Sequence, residues 1–175
     1  MRQKESLPHL GGRIRVVPKD NRLLANLRRY ERSYQGKPER VLTVFAELIE
    51  ASGLERALNV LPYTIFAPHN AAFARFKRPA TQEALKQFIW DHVVEKRLTI
   101  GGGTSRERNQ FPREGEFRNM GGHLLKMNQG QDGTFFLTGG GPGPVRILET
   151  DIAFETGIIH FIERFTPVST PTRID

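Results

Sequence analysis

The chain has 175 residues, of which 38% are hydrophobic and 26% are charged, and this composition is typical of one soluble globular domain with some additional sequence. It contains no cysteine, so disulfides, cysteine–zinc sites, thiol nucleophiles and iron–sulfur clusters are excluded. The net charge is +7, and no apolar run is long enough to cross a bilayer.

The excess positive charge is concentrated at the N-terminus. Residues 1–40 hold eleven Lys and Arg side chains and four acidic ones, whereas residues 41–175 hold 15 of each. This asymmetry indicates contact with an acidic partner, and a solvated tail that only keeps the chain soluble is the alternative. The first residues also lack the apolar run of a signal peptide, so none is expected in this chain.

The N-terminal part is expected to form an irregular arm followed by a helix. Residues 1–19 are punctuated by proline and glycine, which break regular structure. Asp20 is placed to cap a helix over about residues 21–34, whose apolar stripe would dock while its arginines face outward. The arginines predicted to contact a partner are Arg13, Arg15, Arg22, Arg28, Arg29 and Arg32.

The central part of the chain predicts a helix, a strand and a second helix. The first helix begins near Val41, because apolar residues recur there at helical spacing, and Gly53 suits its C-terminal cap. A strand over residues 63–67 runs into Pro68, which breaks it. The second helix is expected to begin at about Asn70, whose side-chain oxygen suits the role of its N-cap.

The second half of the chain changes from helical to β-type patterns. Thr81 can cap one more helix, after which frequent glycines separate short β-type segments, with GQDG at 130–133 as a hairpin turn. Helices first and strands later predict an α+β domain. The predicted organisation is a basic arm at 1–38, a domain at 39–168 and a tail at 169–175. The large apolar residues expected in the core are Phe45, Leu48, Ile65, Phe66, Phe73, Phe88, Ile89, Ile159 and Phe161.

The sequence offers no recognisable catalytic or cofactor-binding motif. The five histidines are scattered without the HExxH spacing of zinc enzymes, and no GxSxG, P-loop or GxGxxG pattern lies between a strand and a helix. The Gly-rich stretches GGGTSRERN and GGGPGP read as hairpin loops, with small-molecule or glycan binding as a weaker interpretation. We therefore expect no catalytic residue, no metal and no cofactor.

Three segments resemble motifs of the fasciclin domain family. YTIFAPHNAAFARF is similar to the first signature of that family, DIAFETGIIHFIERFTP to the second, and FIWDHVV to its Tyr-His-Val-Val segment. The resemblance covers residues 41 to about 167. It implies an α+β fold in which helices pack on a wedge of short, mostly antiparallel strands. It also implies a non-enzymatic adhesion or protein-interaction module, usually extracellular, periplasmic or lumenal.

The resemblance also assigns roles to single residues. Asp91 stands where the family usually has Tyr, and Glu149–Ala153 resembles the Glu-Pro-Asp-Ile-Met integrin segment of matrix proteins without its Pro and Met. By the same resemblance, the residues placed to contact a partner are His92, Asp151 and Ile152. The motif residues expected to serve the fold are Thr64, Phe66, Pro68, Asn70, Phe73, Gly157 and His160.

Two functions of the chain stay open. The chain could act as an adhesion or interaction module, or as an accessory structural subunit of a large membrane or ribonucleoprotein complex, docked through its arm. Proteins with an acidic surface are the favoured partners, and an anionic membrane face is the second candidate. Nucleic acid is the least favoured, because no aromatic residue that could stack on a base precedes Tyr30.

Overall fold

The computed structural model describes residues 20–100 and 116–168. Within these ranges the chain forms four α-helices: α1 (Leu23–Arg29), α2 (Thr43–Ser52), α3 (Glu55–Val60) and α4 (Gln82–Trp90), together with a 3₁₀ helix at Asn70–Phe73. The strands are β1 (Glu31–Tyr34), β2 (Lys37–Arg40), β3 (Tyr63–Pro68), β4 (Val93–Glu95), β5 (Glu116–Arg118), β6 (Leu124–Gln129), β7 (Phe135–Gly139), β8 (Val145–Ala153) and β9 (Ile158–Ile162).

Seven of these strands form one mixed sheet, in the order β4-β3-β9-β8-β7-β6-β5. Only the pair β3–β9 is parallel among the strands described, and the other neighbours run antiparallel. The parallel pair joins the two signature segments, and Phe66 lies opposite His160. The predicted α+β class with mostly antiparallel strands is therefore confirmed.

The core consists of two apolar clusters. The larger one packs α1, α2, α3 and α4 against β3 and β9, and the smaller one gathers Phe66, Met127, Leu137 and Ile162 within the sheet. Most of the apolar residues expected in the core are buried, but Phe73 and Phe88 are only half-buried. These two rings pack edge to face with each other near the surface, at 6.2 Å between centroids, because the short 3₁₀ helix does not carry Phe73 into the core.

The predicted helix over residues 21–34 is wrong in its second half. The helix ends at Arg29, and Glu31–Tyr34 instead pairs with Lys37–Arg40 through a turn at Gln35 and Gly36, both with positive φ (53° and 81°). Two consecutive positive φ values give the tight hairpin turn that glycine favours. The apolar spacing of residues 30–34 also fits a helix, but the backbone hydrogen bonds between β1 and β2 favour the hairpin here.

Helix α1 is part of the core rather than an appended element. Leu23, Leu24 and Leu27 are at most 3% exposed and belong to the larger cluster. The Asp20 carboxylate accepts the N–H of Arg22 at 3.1 Å, as predicted for a cap, but the helix begins only at Leu23. The Leu23 N–H donates to the side-chain oxygen of Asn59 in α3, at 3.0 Å. A free N–H at the start of one helix is thus satisfied by another helix.

The turn after β3 uses its polar side chains differently from the prediction. Asn70 does not cap its own helix: its Oδ1 accepts the N–H of Val44, 2.9 Å away, at the start of α2. The 3₁₀ helix is capped by His69, whose Nδ1 accepts the N–H of Ala71 at 2.8 Å. The expected cap at Thr81 is confirmed, since its hydroxyl accepts the N–H of Ala84 at 3.0 Å.

Candidate functional site

The arginines in and directly before α1 are exposed or half-buried, and each is engaged within the chain. Arg28 forms an ion pair with Glu50 at 2.5 Å, and Arg22 forms one with Asp20 at 3.3 Å. Arg29 donates to the backbone oxygen of Asp20 at 2.8 Å. Exposed pairs of this kind add little stability and can exchange for pairs with a partner. Arg13 and Arg15, predicted to act with them, lie outside the described residues.

Arg32 fastens the β1–β2 hairpin to the main sheet. Its guanidinium lies 5.3 Å from the centre of the Phe161 ring and 3.9 Å from a carboxylate oxygen of Glu149. The Tyr30 hydroxyl donates to the same carboxylate, and burial together with this bond raises the pKa of Tyr30. Arg32 therefore has a structural task in addition to any contact with a partner.

The segment that resembles an integrin motif is built into the sheet. Asp151 has a φ of 62° and lies where the β8–β9 register shifts, so its backbone is locally irregular. Its carboxylate accepts the N–H of Ile100 at 3.0 Å. Ile152 is half-buried and packs against the larger core cluster. The structure thus assigns both residues contacts inside the domain.

His160 joins three parts of the chain through its ring. It is fully buried in β9, and its Nδ1 accepts the N–H of Asp151 at 2.9 Å. Since Nδ1 is an acceptor, the proton lies on Nε2, which donates to the backbone oxygen of Leu98 at 3.0 Å. Burial lowers the pKa of His160 to about 4, so the ring is neutral at pH 7.

His92 makes the equivalent connection beside α4. Its Nδ1 donates to the Phe88 backbone oxygen at 2.9 Å, and its Nε2 accepts the N–H of Thr166 at 3.1 Å. The residue is 1% exposed, and burial lowers its pKa to about 4. The structure therefore places this predicted partner-binding residue in the interior, where both ring nitrogens bond to backbone groups of the domain.

The signature residues around β3 and β9 make contacts that hold the fold. The Thr64 hydroxyl donates to the Lys96 backbone oxygen at 2.7 Å and accepts the N–H of Leu98 at 2.8 Å. Pro68 ends β3, and Phe66 is fully buried. No side chain fits at Gly157, because an added Cβ would lie 2.2 Å from the backbone oxygen of Tyr63.

An acid–imidazole pair that sequence reasoning missed lies at Asp91. Its carboxylate is 3.3 Å from Nε2 of His123 and accepts a bond from the Gln87 side chain at 2.8 Å. Burial raises the pKa of Asp91, with the charge of His123 and the Gln87 bond acting in the opposite direction. The two residues are far apart in sequence and share no motif, so only the fold brings them together.

Asp91 also borders an apolar cleft of about 440 Å³ between α4, the 3₁₀ helix and the segment after β9. Its aromatic wall consists of Phe76, Phe88 and Phe165, whose rings pack edge to face or tilted at 5.0–5.5 Å. Arg164 contributes a charged group to the lining.

Among the described residues, no group of three or more His, Asp and Glu side chains could hold a metal ion.

Comparison with known proteins agrees with this geometry. A model of the fasciclin domain matches residues 40–166. A solved FAS1 domain pair from the insect cell adhesion molecule fasciclin I has a similar fold, with 21% sequence identity and a TM-score of 0.56. The match covers 72% of this chain and 45% of that one, so the chain spans less than half of the solved pair. No curated protein matches the chain.

Within the part of the chain that the structure describes, no helix has the length and hydrophobicity needed to pass through a bilayer. The two signature segments lie side by side as the parallel pair β3–β9, and Phe66 lies opposite His160. With the family model matched over this whole region, the chain belongs to the fasciclin domain family.

Proposed function

We propose that this chain is a non-enzymatic, extracytoplasmic protein-interaction module that docks on acidic protein surfaces through its basic N-terminal region. Fasciclin domains are known as adhesion and protein-interaction modules. In this chain, the positive charge is also distributed unevenly along the sequence. The observation that carries the proposal is that the whole excess of positive charge precedes residue 41. Such a concentration attracts acidic surfaces and speeds association with them.

The described part of this region is held firmly enough to present its charges. The buried leucines of α1 anchor the helix, and Arg32 and Tyr30 tie the hairpin to Phe161 and Glu149. Arg22 and Arg28 remain exposed on this anchored support. Fixed charges lose less conformational entropy on binding than charges on a loose tail.

The hydrogen bonds of the two buried histidines support the proposal that the domain is non-enzymatic. In His92 and His160, both ring nitrogens are hydrogen-bonded to backbone groups of the domain. A general acid or base must instead exchange a proton with a bound substrate. These two rings therefore serve the fold.

The proposal can be tested with immobilised poly-L-glutamate as a model acidic surface, measured by surface plasmon resonance. Deleting residues 1–19 removes five Lys and Arg and one Glu, and it leaves the buried leucines of α1 in place. We expect this deletion, or the exposed substitution Arg28→Glu, to weaken binding, and we expect added salt to weaken binding by the parent chain.

A matched control changes the charge by the same amount elsewhere. Arg75 and Arg78 are exposed on the body, and the double substitution Arg75→Glu, Arg78→Glu also lowers the net charge by four. It should reduce binding less than the deletion does. If the deletion and Arg28→Glu both bind as tightly as the parent, the N-terminal region is only a solubilising tail and the proposal fails.

A further inference from the structure

A contiguous apolar surface lies at the end of α3. Val60 is 65% exposed and Leu61 is 54% exposed, more than any other large apolar side chain among the described residues. Ala57, one helical turn earlier, is exposed on the same side, and Pro62 continues the surface to the start of β3. We call Ala57, Val60, Leu61 and Pro62 the α3 patch. Single exposed apolar residues are ordinary, but a contiguous group of this kind indicates a contact surface.

The α3 patch is bordered by cations from two elements. The N–H of Lys96 donates to the backbone oxygen of Pro62 at 3.0 Å, which places the turn after β4 beside the patch. Lys96 has a φ of 98°, an uncommon conformation for a residue with a side chain, and the Thr64 hydroxyl bonds its backbone oxygen at 2.7 Å. The turn is therefore held in place, and both Lys96 and Arg97 are exposed.

These cations form no ion pair within the described residues, although Glu55 and Glu95 precede them in the chain. Arg56, next to Ala57 on α3, is exposed as well, and none of Arg56, Lys96 and Arg97 forms an ion pair with a carboxylate in residues 20–100 or 116–168. By contrast, Arg22 directly before α1 and Arg28 on α1 each have a carboxylate partner. An apolar ridge with unpaired cations around it is complementary to a surface that is apolar inside and anionic outside.

We propose that the α3 patch docks on an anionic membrane surface, an activity beyond the proposed protein-interaction function and independent of it. Val60 and Leu61 enter the boundary between headgroups and acyl chains, while Arg56, Lys96 and Arg97 contact acidic headgroups. Both aliphatic side chains are more than half exposed to solvent. A fluid bilayer accepts such side chains without a matching pocket, whereas a protein partner would have to provide one.

The basic N-terminal sequence joins the domain at the same end. Asn59, adjacent to Val60, accepts the N–H of Leu23, so the start of α1 lies beside the end of α3. The sequence that precedes α1, residues 1–19, contains five Lys and Arg and one Glu. Its net positive charge would add general electrostatic attraction to an anionic surface, because juxtamembrane basic residues bind acidic lipid.

The absence of native cysteine allows a direct test of insertion on the full chain. A single cysteine introduced as Ala57→Cys and labelled with an environment-sensitive fluorophore keeps Val60 and Leu61 intact. The same label at Asp132→Cys, in the exposed turn between β6 and β7, is the control. With vesicles of phosphatidylcholine and phosphatidylglycerol, we expect a blue shift and stronger emission at position 57 but not at position 132, and a weaker response with phosphatidylcholine alone.

Substitutions then separate the apolar contribution from the charges. Val60→Ser with Leu61→Ser should lower the partition coefficient in vesicle sedimentation by about ten-fold or more, because the transferred apolar area is lost. Lys96→Gln and Arg97→Gln should each lower it by about five-fold on the mixed vesicles. The matched control, Arg75→Gln with Lys77→Gln, removes two exposed cations that do not belong to the α3 patch or its border. It should change the partition coefficient by less than about two-fold.

Several results would overturn the proposal. One is sedimentation with anionic vesicles while the label at position 57 stays in water, since the N-terminal charges alone would then explain binding. Another is a loss of binding in the Arg75 and Lys77 control equal to that in the Lys96 and Arg97 variants. A third is the absence of binding to vesicles together with concentration-dependent self-association that the two serine substitutions abolish, because the patch would then be a contact between protein chains.

Discussion

Lowering the pH from 7 to 5 should destabilise this domain, because it keeps two histidines neutral in its interior. His92 and His160 are at most 1% exposed, and in each ring one nitrogen accepts a backbone N–H. Protonating that nitrogen removes the acceptor and buries a charge. The folded state therefore resists protonation, which is why burial lowers both pKa values to about 4.

The sign and size of the effect follow from linkage. The unfolded chain binds a proton at each histidine below its ordinary pKa of 6.5, but the folded chain does not do so until about pH 4. The contribution of each neutral histidine to the free energy of unfolding is therefore present above pH 6.5 and is lost as the pH falls from 6.5 to about 4. At about 1.4 kcal/mol per pH unit, each histidine should lower the free energy of unfolding by about 2 kcal/mol at pH 5. Two such losses, about 4 kcal/mol, are large beside the 5–15 kcal/mol typical of a domain.

Urea unfolding followed by circular dichroism at pH 7, 6 and 5 measures this loss directly. His92→Gln and His160→Gln should each be less stable than the parent at pH 7, since glutamine does not reproduce both ring bonds. Each should also remove about half of the pH dependence, because one of the two titrating groups is gone. The reasoning is refuted if the parent has the same free energy of unfolding at pH 7 and pH 5, or if both variants keep the full pH dependence of the parent.

Three further substitutions test the packing and the caps by urea denaturation at pH 7. Phe66→Ala should cost about 3–5 kcal/mol, because the ring is fully buried in the smaller core cluster, and a loss below about 1 kcal/mol would contradict its place in the core. Asn70→Ala should cost about 1–2 kcal/mol, because it removes the acceptor for the Val44 N–H at the start of α2, and a neutral result would show that this cap is not needed. Thr156→Val should be neutral or stabilising, because the Thr156 hydroxyl is buried without a hydrogen-bond partner among the described residues, and a loss of about 1 kcal/mol or more would reveal a bond to it.

Features that depend on neighbouring residues in the chain could be predicted from the sequence. The Thr81 cap involves a backbone group only three residues away, and Gly53 ends α2 with a left-handed φ of 78°. The turn at residues 130–133 closes within one hairpin, through a bond from the Gly130 N–H to Thr134. The signature segments also identified the family, because they are long and lie in the expected order. Caps, turns and amphipathic elements require particular residue types at fixed spacings, so they can be recognised in the sequence.

The contacts of the polar and aromatic side chains, by contrast, depend on the three-dimensional fold and could not be predicted. Asn70 suits an N-cap by its chemistry, but nothing in the sequence reveals that it accepts the N–H of Val44, 26 residues earlier. Tyr30 fits the apolar stripe of a helix, yet its ring packs at 5.3 Å on Phe161 of the last strand. The pair of Asp91 and His123 has no signature at all. Periodicity indicates which face of an element is apolar, whereas the partner of each side chain depends on which distant segments the whole core brings together.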